Sequence, residues 1–370
     1  GFMPHVLEKN RFDPIPEELA AKMHKMIAII QFKVEGQTIM NHPEFKLDHR
    51  LMLDKINLDE GTVNCYGKVY PIKDTNLPTI DPADPYKLSP EEEEVMVALE
   101  ASITNSKKLQ EHINFLYTHG ALFTTYNGNL LFHGCIPFTE DGDLMEVTIA
   151  GKTNHGAGLM RQLDQELREV YFNPRCELDK ADAANLMWYL WLGPDSPLFG
   201  KDKMTTFERL FIADKSTHKE HTVPYYKLIK NKDICIKIIR DFDLDPSKGI
   251  ILNGHVPVKI KDGESPIKGE GKLIVIDGGI SKAYQKTTGI AGYTFIFNSW
   301  FMALSEHEPY HPLQPDGTQE FNNPNIVTTH TLPARMLIID TDIGKVLQSQ
   351  IDDLQQLNAE FRKGTIKEVY

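Results

Sequence analysis

The sequence predicts a mixed α/β (α+β) fold, and three observations lead there. Stretches with apolar residues at helical spacing alternate with apolar runs too short for helices and bounded by glycine, proline or asparagine. Asn127-Gly128 stands between two of those runs, and this dipeptide favours a tight β-hairpin. Two strand-like runs, 127–133 and 250–255, end on a histidine flanked by glycine, His133-Gly134 and Gly254-His255.

Taken in order, the first element is a helix from Pro16, with Leu19, Met23, Met26, Ile27, Ile30 and Val34 at helical spacing and Gly36 as its expected stop. A second helical run is expected over 48–56, then a hairpin around Gly67. Pro78, Pro82, Pro85 and Pro90 make 73–90 a loop, in which Asp74, Asp81 and Asp84 read as turn formers. Ser89-Pro90-Glu91-Glu92 is a helix start: Ser89 caps, Pro90 takes the first helical position, and Glu92 closes a capping box. That helix is expected to run to about residue 117 and end at Gly120, where His119 suits the negative end of the dipole.

The hairpin of 121–126 and 129–133 follows, then a strand over 144–149 and helices over 156–172 and 180–191. The stretch 191–209 breaks periodicity, rich first in glycine and proline and then in cations. A helix over 233–242 precedes strands at 249–252, 256–260, 272–276 and 293–298. Residues 309–333 read as a polar, proline-rich mobile loop. The last helix, 342–362, carries Ile343, Leu347, Ile351, Leu354 and Leu357 on one face. The expected organisation is a mainly helical accessory segment over 1–120, a core over 121–307, and a loop, edge strand and helix over 308–370.

Composition narrows the function. A net charge of −12 weighs against nucleic acid as a partner, since phosphate backbones call for clustered lysine and arginine. No run is long and apolar enough for a membrane helix. Cys65, Cys135, Cys176 and Cys235 form no CxxC pair and read as reduced cytoplasmic thiols. Cys135, two residues from His133, reads as a small buried hydrophobe, because no cation stands near it in sequence to activate a thiolate. His133 and His255, at the ends of strands brought side by side, would make a two-histidine metal site.

Six stretches carry a more specific signal: KMHKMIAIIQFKVEGQ from Lys22, PTIDPADPY from Pro78, NGNLLFHGCIPFTEDG from Asn127, GPDSPLFGKDKMTTFER from Gly193, NGHVPVKIKDGESPIKGEGKLIVIDGGISKAYQKTTGIAGYTFIFNS from Asn253, and DTDIGK from Asp340. Together they resemble class III fructose-1,6-bisphosphatase, the Firmicutes-type bacterial family related to calcineurin-like metallophosphoesterases. The resemblance implies half of a metallophosphoesterase β-sandwich flanked by helices, with accessory helices, the half being the C-terminal one. It implies metal-dependent hydrolysis of fructose 1,6-bisphosphate to fructose 6-phosphate and phosphate in gluconeogenesis, with manganese as the cofactor and a homo-oligomeric cytoplasmic protein. By resemblance His133 and His255 would ligate one ion of a two-ion centre.

The resemblance also implies where substrate phosphate would sit. Lys201, Lys203 and Arg209 follow Leu190-Trp191-Leu192-Gly193-Pro194, where related phosphatases place a substrate-binding arginine; lysine here would give point charges without a bidentate fork. Lys282 and Lys286, in the 279–289 loop, could hold the second phosphate. Solvated surface charge is the alternative for all five. The Asp-x-His, Gly-Asp-x-x-Asp and Gly-Asn-His-Asp/Glu motifs of the superfamily do not occur. The expectation is therefore an inactive portion of a longer enzyme, partnered by its N-terminal half. Another phosphoesterase on the same scaffold and a non-catalytic oligomerisation or regulatory module are the alternatives.

Overall fold

A computed structural model describes residues 16–149, 151–173, 180–279, 281, 287–308 and 325–366. Helix α1 (Glu17–Asn41) does not stop at Gly36. Gly36 lies buried inside it, and the ring of Tyr86 occupies the space a Cβ would need. The glycine therefore serves a close approach and not a helix end. The run over 48–56 forms two 3-10 turns, Asp48–Arg50 and Leu53–Lys55, followed by β1 (Ile56–Asn57). Strands β2 (Thr62–Cys65) and β3 (Lys68–Pro71) form the expected hairpin, with Tyr66 and Gly67 both left-handed, at φ 52° and 78°.

Helix α2 (Pro90–Thr104) begins on the full Ser89–Glu92 capping box. It does not continue to residue 117. Ser106 caps a new helix, α3 (Lys107–His119), by accepting from the Leu109 N–H, so one periodic run becomes two helices. Strands β4 (Phe123–Tyr126) and β5 (Asn129–Phe132) turn through Asn127 and Gly128, at φ 49° and 78°. The strand over 144–149 shortens to β6 (Val147–Ile149) and pairs with β7 (Lys152–Asn154).

Helices α4 (Gly156–Phe172) and α5 (Lys180–Leu192) lie where periodicity places them. The short helices α6 (Thr206–Phe211) and α7 (Tyr225–Leu228) carry no sequence signal long enough to read. After α8 (Lys232–Asp241) come β8 (Ile251–Asn253), β9 (Ile267–Lys268) and β10 (Leu273–Val275). Residues 256–260 form no strand: Pro257 has no N–H to give a ladder, and the Val256 N–H turns back to Gly254 O at 2.9 Å. Strands β11 (Gly292–Phe297), β12 (Phe301–His307) and β13 (Asn325–Thr331) precede the last helix, α9 (Asp342–Arg362). Residues 325–331 of the expected mobile loop are thus an edge strand, and 309–324 lie outside the described residues.

By contacts the chain divides into two compact units with interleaved segments. The first takes in residues up to Ala121, Glu146–Asn154 and Arg161–Val223. Its core gathers Ala28, Ile29 and Phe32 of α1 with Val63, Ile72, Phe207, Phe211 and Ile212. Phe32 meets Phe207 edge-on at 5.5 Å, a favoured aromatic geometry. Beside this core Lys33 and Glu92 form an ion pair of 2.7 Å at 0% and 3% exposure, and Lys33 also donates to Thr79 O. Removing one partner of such a pair costs about 3–5 kcal/mol, because the other charge is left buried.

The second unit takes in Leu122–Met145, His155–Met160 and the chain from Pro224 onward. Its main sheet has the order β4-β5-β8-β10-β9. The three central strands are parallel, with Leu130, Ile251 and Leu273 in one register row and Phe132, Asn253 and Val275 in another. They are buried and nearly all apolar, as central parallel strands must be. Strands β11, β12 and β13 make a separate antiparallel sheet. Helix α9 is fastened at its start: Asp342 Oδ2 accepts from the Asn127 N–H at 2.6 Å, and Asn127 Oδ1 accepts from the Asp342 N–H at 3.0 Å. Beyond that clasp Ile343, Leu347, Ile351, Leu354 and Leu357 are exposed. The fold is mixed α/β. Among the described residues no helix is long and apolar enough to cross a membrane.

Candidate functional site

Three neighbouring parallel strands end in the same direction, and each is followed within two residues by a side chain that can carry chemistry: His133 after β5, His255 after β8 and Asp277 after β10. A parallel arrangement forces this, because equivalent strand ends share one edge of the sheet. His133 Nε2 and His255 Nδ1 lie 3.0 Å apart, with ring centroids at 4.9 Å and planes at 71°. Two ligands of one ion, each bonded at about 2.0–2.1 Å, can stand at most roughly 4.2 Å apart. The pair meets that limit.

The backbone holds the two ends together. Gly254 N–H donates to His133 O at 3.0 Å. Asn253, 1% exposed, donates from Nδ2 to His133 O at 3.2 Å and to Gly134 O at 2.5 Å. The side chain of Asn253 thereby ties the turn after β5 to the end of β8. The glycines play a smaller part than their position in the sequence suggests. It is His255 that adopts the left-handed backbone, at φ 71°. Histidine tolerates that conformation better than most residues, but strain of order 1–3 kcal/mol accompanies it. A Cβ on Gly254 would make only ordinary contacts with His133 O and Asp277 Cβ.

Burial pushes His133 below the ordinary imidazole range, and His255 pushes the same way; Asp277 pulls weakly back. A neutral imidazole with a free nitrogen is the form that binds a metal. Asp277 is held in turn: its Oδ1 accepts from the Gly279 N–H at 2.7 Å, and its carbonyl accepts from the Val258 N–H at 2.9 Å. Among the described residues no three His, Cys, Asp or Glu side chains converge closely enough to hold a metal ion. The histidine pair therefore fits as two ligands of a shell that needs about four to six.

Sequence reasoning singled out both histidines and missed Asn253 and Asp277. Asp277 repeats the pattern of the other two ends, an apolar run followed by a polar residue beside glycine, in Ile274-Val275-Ile276-Asp277-Gly278. The buried asparagine has no such mark.

Lys201, Lys203 and Arg209 belong to the first unit. Lys201 Nζ pairs with Glu220 Oε2 at 2.7 Å, and Arg209 approaches Glu220 Oε1 at 3.5 Å while donating to His218 O at 2.9 Å. Burial opposes ionisation of Glu220, but Lys201 and the N–H and hydroxyl of Thr205 outweigh it and bring its pKa down to about 2. Lys203 Nζ sits 3.9 Å from the centre of the Tyr66 ring, whose hydroxyl donates to Glu208 at 2.5 Å. Lys282 and Lys286 lie outside the described residues. His119 ends α3 and stacks on Phe115 at 4.5 Å. Cys135 is buried, and Asp81 and Asp84 bridge across their own turn.

Comparison with known proteins covers nearly the whole chain. Residues 1–363 match the family model described as Firmicute fructose-1,6-bisphosphatase. A fructose-1,6-bisphosphatase class 3 of Clostridium tetani (strain Massachusetts / E88) is 50% identical over 370 residues, 100% of this chain and 56% of the relative. One of Clostridium botulinum (strain 657 / Type Ba4) is 49% identical over 371 residues, 100% of this chain and 55% of the relative. The chain thus spans a little over half the length of the curated relatives it matches. No solved structure matches it. The chain belongs to the Firmicute fructose-1,6-bisphosphatase family.

Proposed function

We propose that this chain supplies one part of a two-metal phosphatase site that hydrolyses fructose 1,6-bisphosphate to fructose 6-phosphate and phosphate. The observation that carries the reading is the convergence of His133 and His255 to 3.0 Å at the ends of adjacent parallel strands. Family membership supports the substrate, and the class 3 relatives bear the enzyme's name. Bound divalent ions, of which manganese is our candidate, would polarise phosphoryl oxygens and lower the pKa of a coordinated water. His133 and His255 would hold one ion through neutral ring nitrogens, Asn253 would fix their separation through the backbone, and the nearby Asp277 charge partly offsets the burial that disfavours protonation of His133. The remaining ligands and the leaving-group acid would come from a further segment, the N-terminal half of the longer protein. The substrate-phosphate roles of Lys201, Lys203 and Arg209 draw no support from their surroundings, where each already has a partner in its own unit.

The reading extends to a cytoplasmic, gluconeogenic homo-oligomer. Buried Cys65, Cys135 and Cys235 and the exposed apolar row of α9 are consistent with it. The test is phosphate release from the bisphosphate with manganese present. The chain alone should give none above background, the chain with the remaining segment of the longer protein should restore it, and His255→Ala should remove it again. Robust release by the chain alone would place the ligands elsewhere in these residues, Asp81 and Asp84 first among them.

A further inference from the structure

Helix α9 is fastened to the second unit at its beginning. Thr341 caps it by accepting from the Gly344 N–H at 3.0 Å, the clasp of Asp342 with Asn127 holds its first turn, and Gly344 is its one buried residue. From Lys345 to Arg362 every side chain is exposed except Gln348 and Glu360, which are half-buried. A helix in a folded protein draws most of its stability from an apolar face packed against a neighbour. Among the described residues α9 has such a face and nothing covers it: Leu354 is 64% exposed and Ile343 55%.

The spacing on that face is regular. Ile343, Leu347, Gln350, Leu354, Leu357 and Phe361 follow one another at steps of four, three, four, three and four. This is the 3.5-residue repeat of a coiled-coil seam, kept along the whole helix with one polar member near its middle. The polar member selects the partner. A glutamine amide carries both donors and an acceptor, so two glutamines at one level can satisfy each other. They meet when a second α9 lies parallel and in register, Gln350 of one copy against Gln350 of the other. In an antiparallel pair centred on the same seam Gln350 faces Leu354, and its amide is buried without that partner.

Charge agrees with this choice. The chain carries −12, so two copies repel unless their contact keeps acids apart. In the parallel pair the residues flanking the seam meet as Val346 with Ile351 and Asp353 with Asn358, with no like charges opposed. Reversal of one helix would bring the two copies of Asp353 together.

We propose that α9 is the arm through which two copies of this chain pair, as a parallel two-stranded coiled coil whose register is fixed by the Gln350 layer. The proposal names the contact of the homo-oligomer read above and rests on that part of the reading; the metal site does not enter it. The capped and clasped helix is already formed before pairing, which lowers the ordering cost of association.

Sedimentation equilibrium and oxidative crosslinking test this on the whole chain. The unmodified chain should show a monomer–dimer equilibrium with a Kd in the micromolar range. Leu354→Asp should weaken the dimer at least about tenfold and leave the monomer folded, since the side chain is exposed within its own chain. Under mild oxidation Gln350→Cys should form a disulfide-linked dimer, because in-register seam positions lie within disulfide reach, whereas Ser349→Cys, off the seam, should not exceed the unmodified chain. A chain still monomeric at roughly 100 µM would overturn both the homo-oligomer and this contact. A dimer that Leu354→Asp leaves intact would keep the homo-oligomer and overturn the role of α9. Crosslinking of Gln350→Cys no greater than that of Ser349→Cys would overturn the parallel register. If the remaining segment of the longer protein dissociates the dimer, and Leu354→Asp weakens binding of that segment, the face belongs to the segment and the proposal falls. Phosphate release is read in none of these measurements, so the metal-site reading stands or falls separately.

Discussion

In the first unit, cations close in sequence are taken up by their neighbours: Lys201 and Arg209 converge on Glu220, and Lys203 caps the face of Tyr66. In the second, two histidines separated by 122 positions converge on each other at the edge of a sheet. One carboxylate, Glu220, is shared by Lys201 and Arg209, and Lys203 has a ring for its neighbour, so each cation of the first cluster already has a local contact. In the second arrangement the buried Asn253 ties the two strand ends together, His255 sits in left-handed backbone, and the two rings meet edge-on, where His255 adds to the cost of protonating His133. Backbone strain held in place by surrounding structure occurs often at functional sites, and paired charge is common on any protein surface.

This contrast can be broken most sharply at His255. If the site is completed by the further segment proposed above, His255→Ala should lower phosphate release more than about 100-fold, beyond the loss usual for residues that only support a ligand, with little change in melting temperature. A large drop in stability with activity retained would make the histidine a structural residue.

Asn253→Ala comes next. It removes two hydrogen bonds to the His133 and Gly134 carbonyls from a buried position and should cost about 1–3 kcal/mol in denaturant unfolding. It should also weaken metal binding by the assembled enzyme, whereas a neutral result would mean that the strand ends are held without it.

On the other side of the comparison, Glu220→Gln should destabilise the chain by about 1–2 kcal/mol, less than a fully buried pair, because Lys201 and Arg209 are partly exposed. The pH dependence has a definite sign. The folded pKa of Glu220 is depressed from its ordinary 4.5 to about 2, so its contribution is complete above 4.5 and is lost as pH falls toward 2. Unfolding curves of the wild type and Glu220→Gln should therefore draw together across that window. Curves that stay parallel through it would show that Glu220 is not the titrating group.

The smallest effect is expected at Lys203. Lys203→Ala removes one cation–π contact, about 0.5–1 kcal/mol, and should leave KM for the bisphosphate within roughly twofold. A rise of tenfold, or about 1.4 kcal/mol, would return this lysine to the phosphate site and remove the contrast between the two units.

The mixed α/β class, both Gly-containing hairpins, the Ser89 capping box, helices α4, α5 and α9 and the two histidines were all legible in the sequence. Each rests on short-range physics: side-chain periodicity, a left-handed Asn-Gly turn, a hydroxyl within reach of an N–H three residues on. Tertiary structure decided what depends on residues far apart. Gly36 stays helical because Tyr86, 50 positions later, fills the space beside it. Residues 325–331 become a strand because β12 offers them an open edge. Lys33 is fully buried because Glu92 and Thr79 meet it there. Asn253 and Asp277 join the site only when β5, β8 and β10 lie parallel and side by side, since no local pattern records which strand ends will be neighbours.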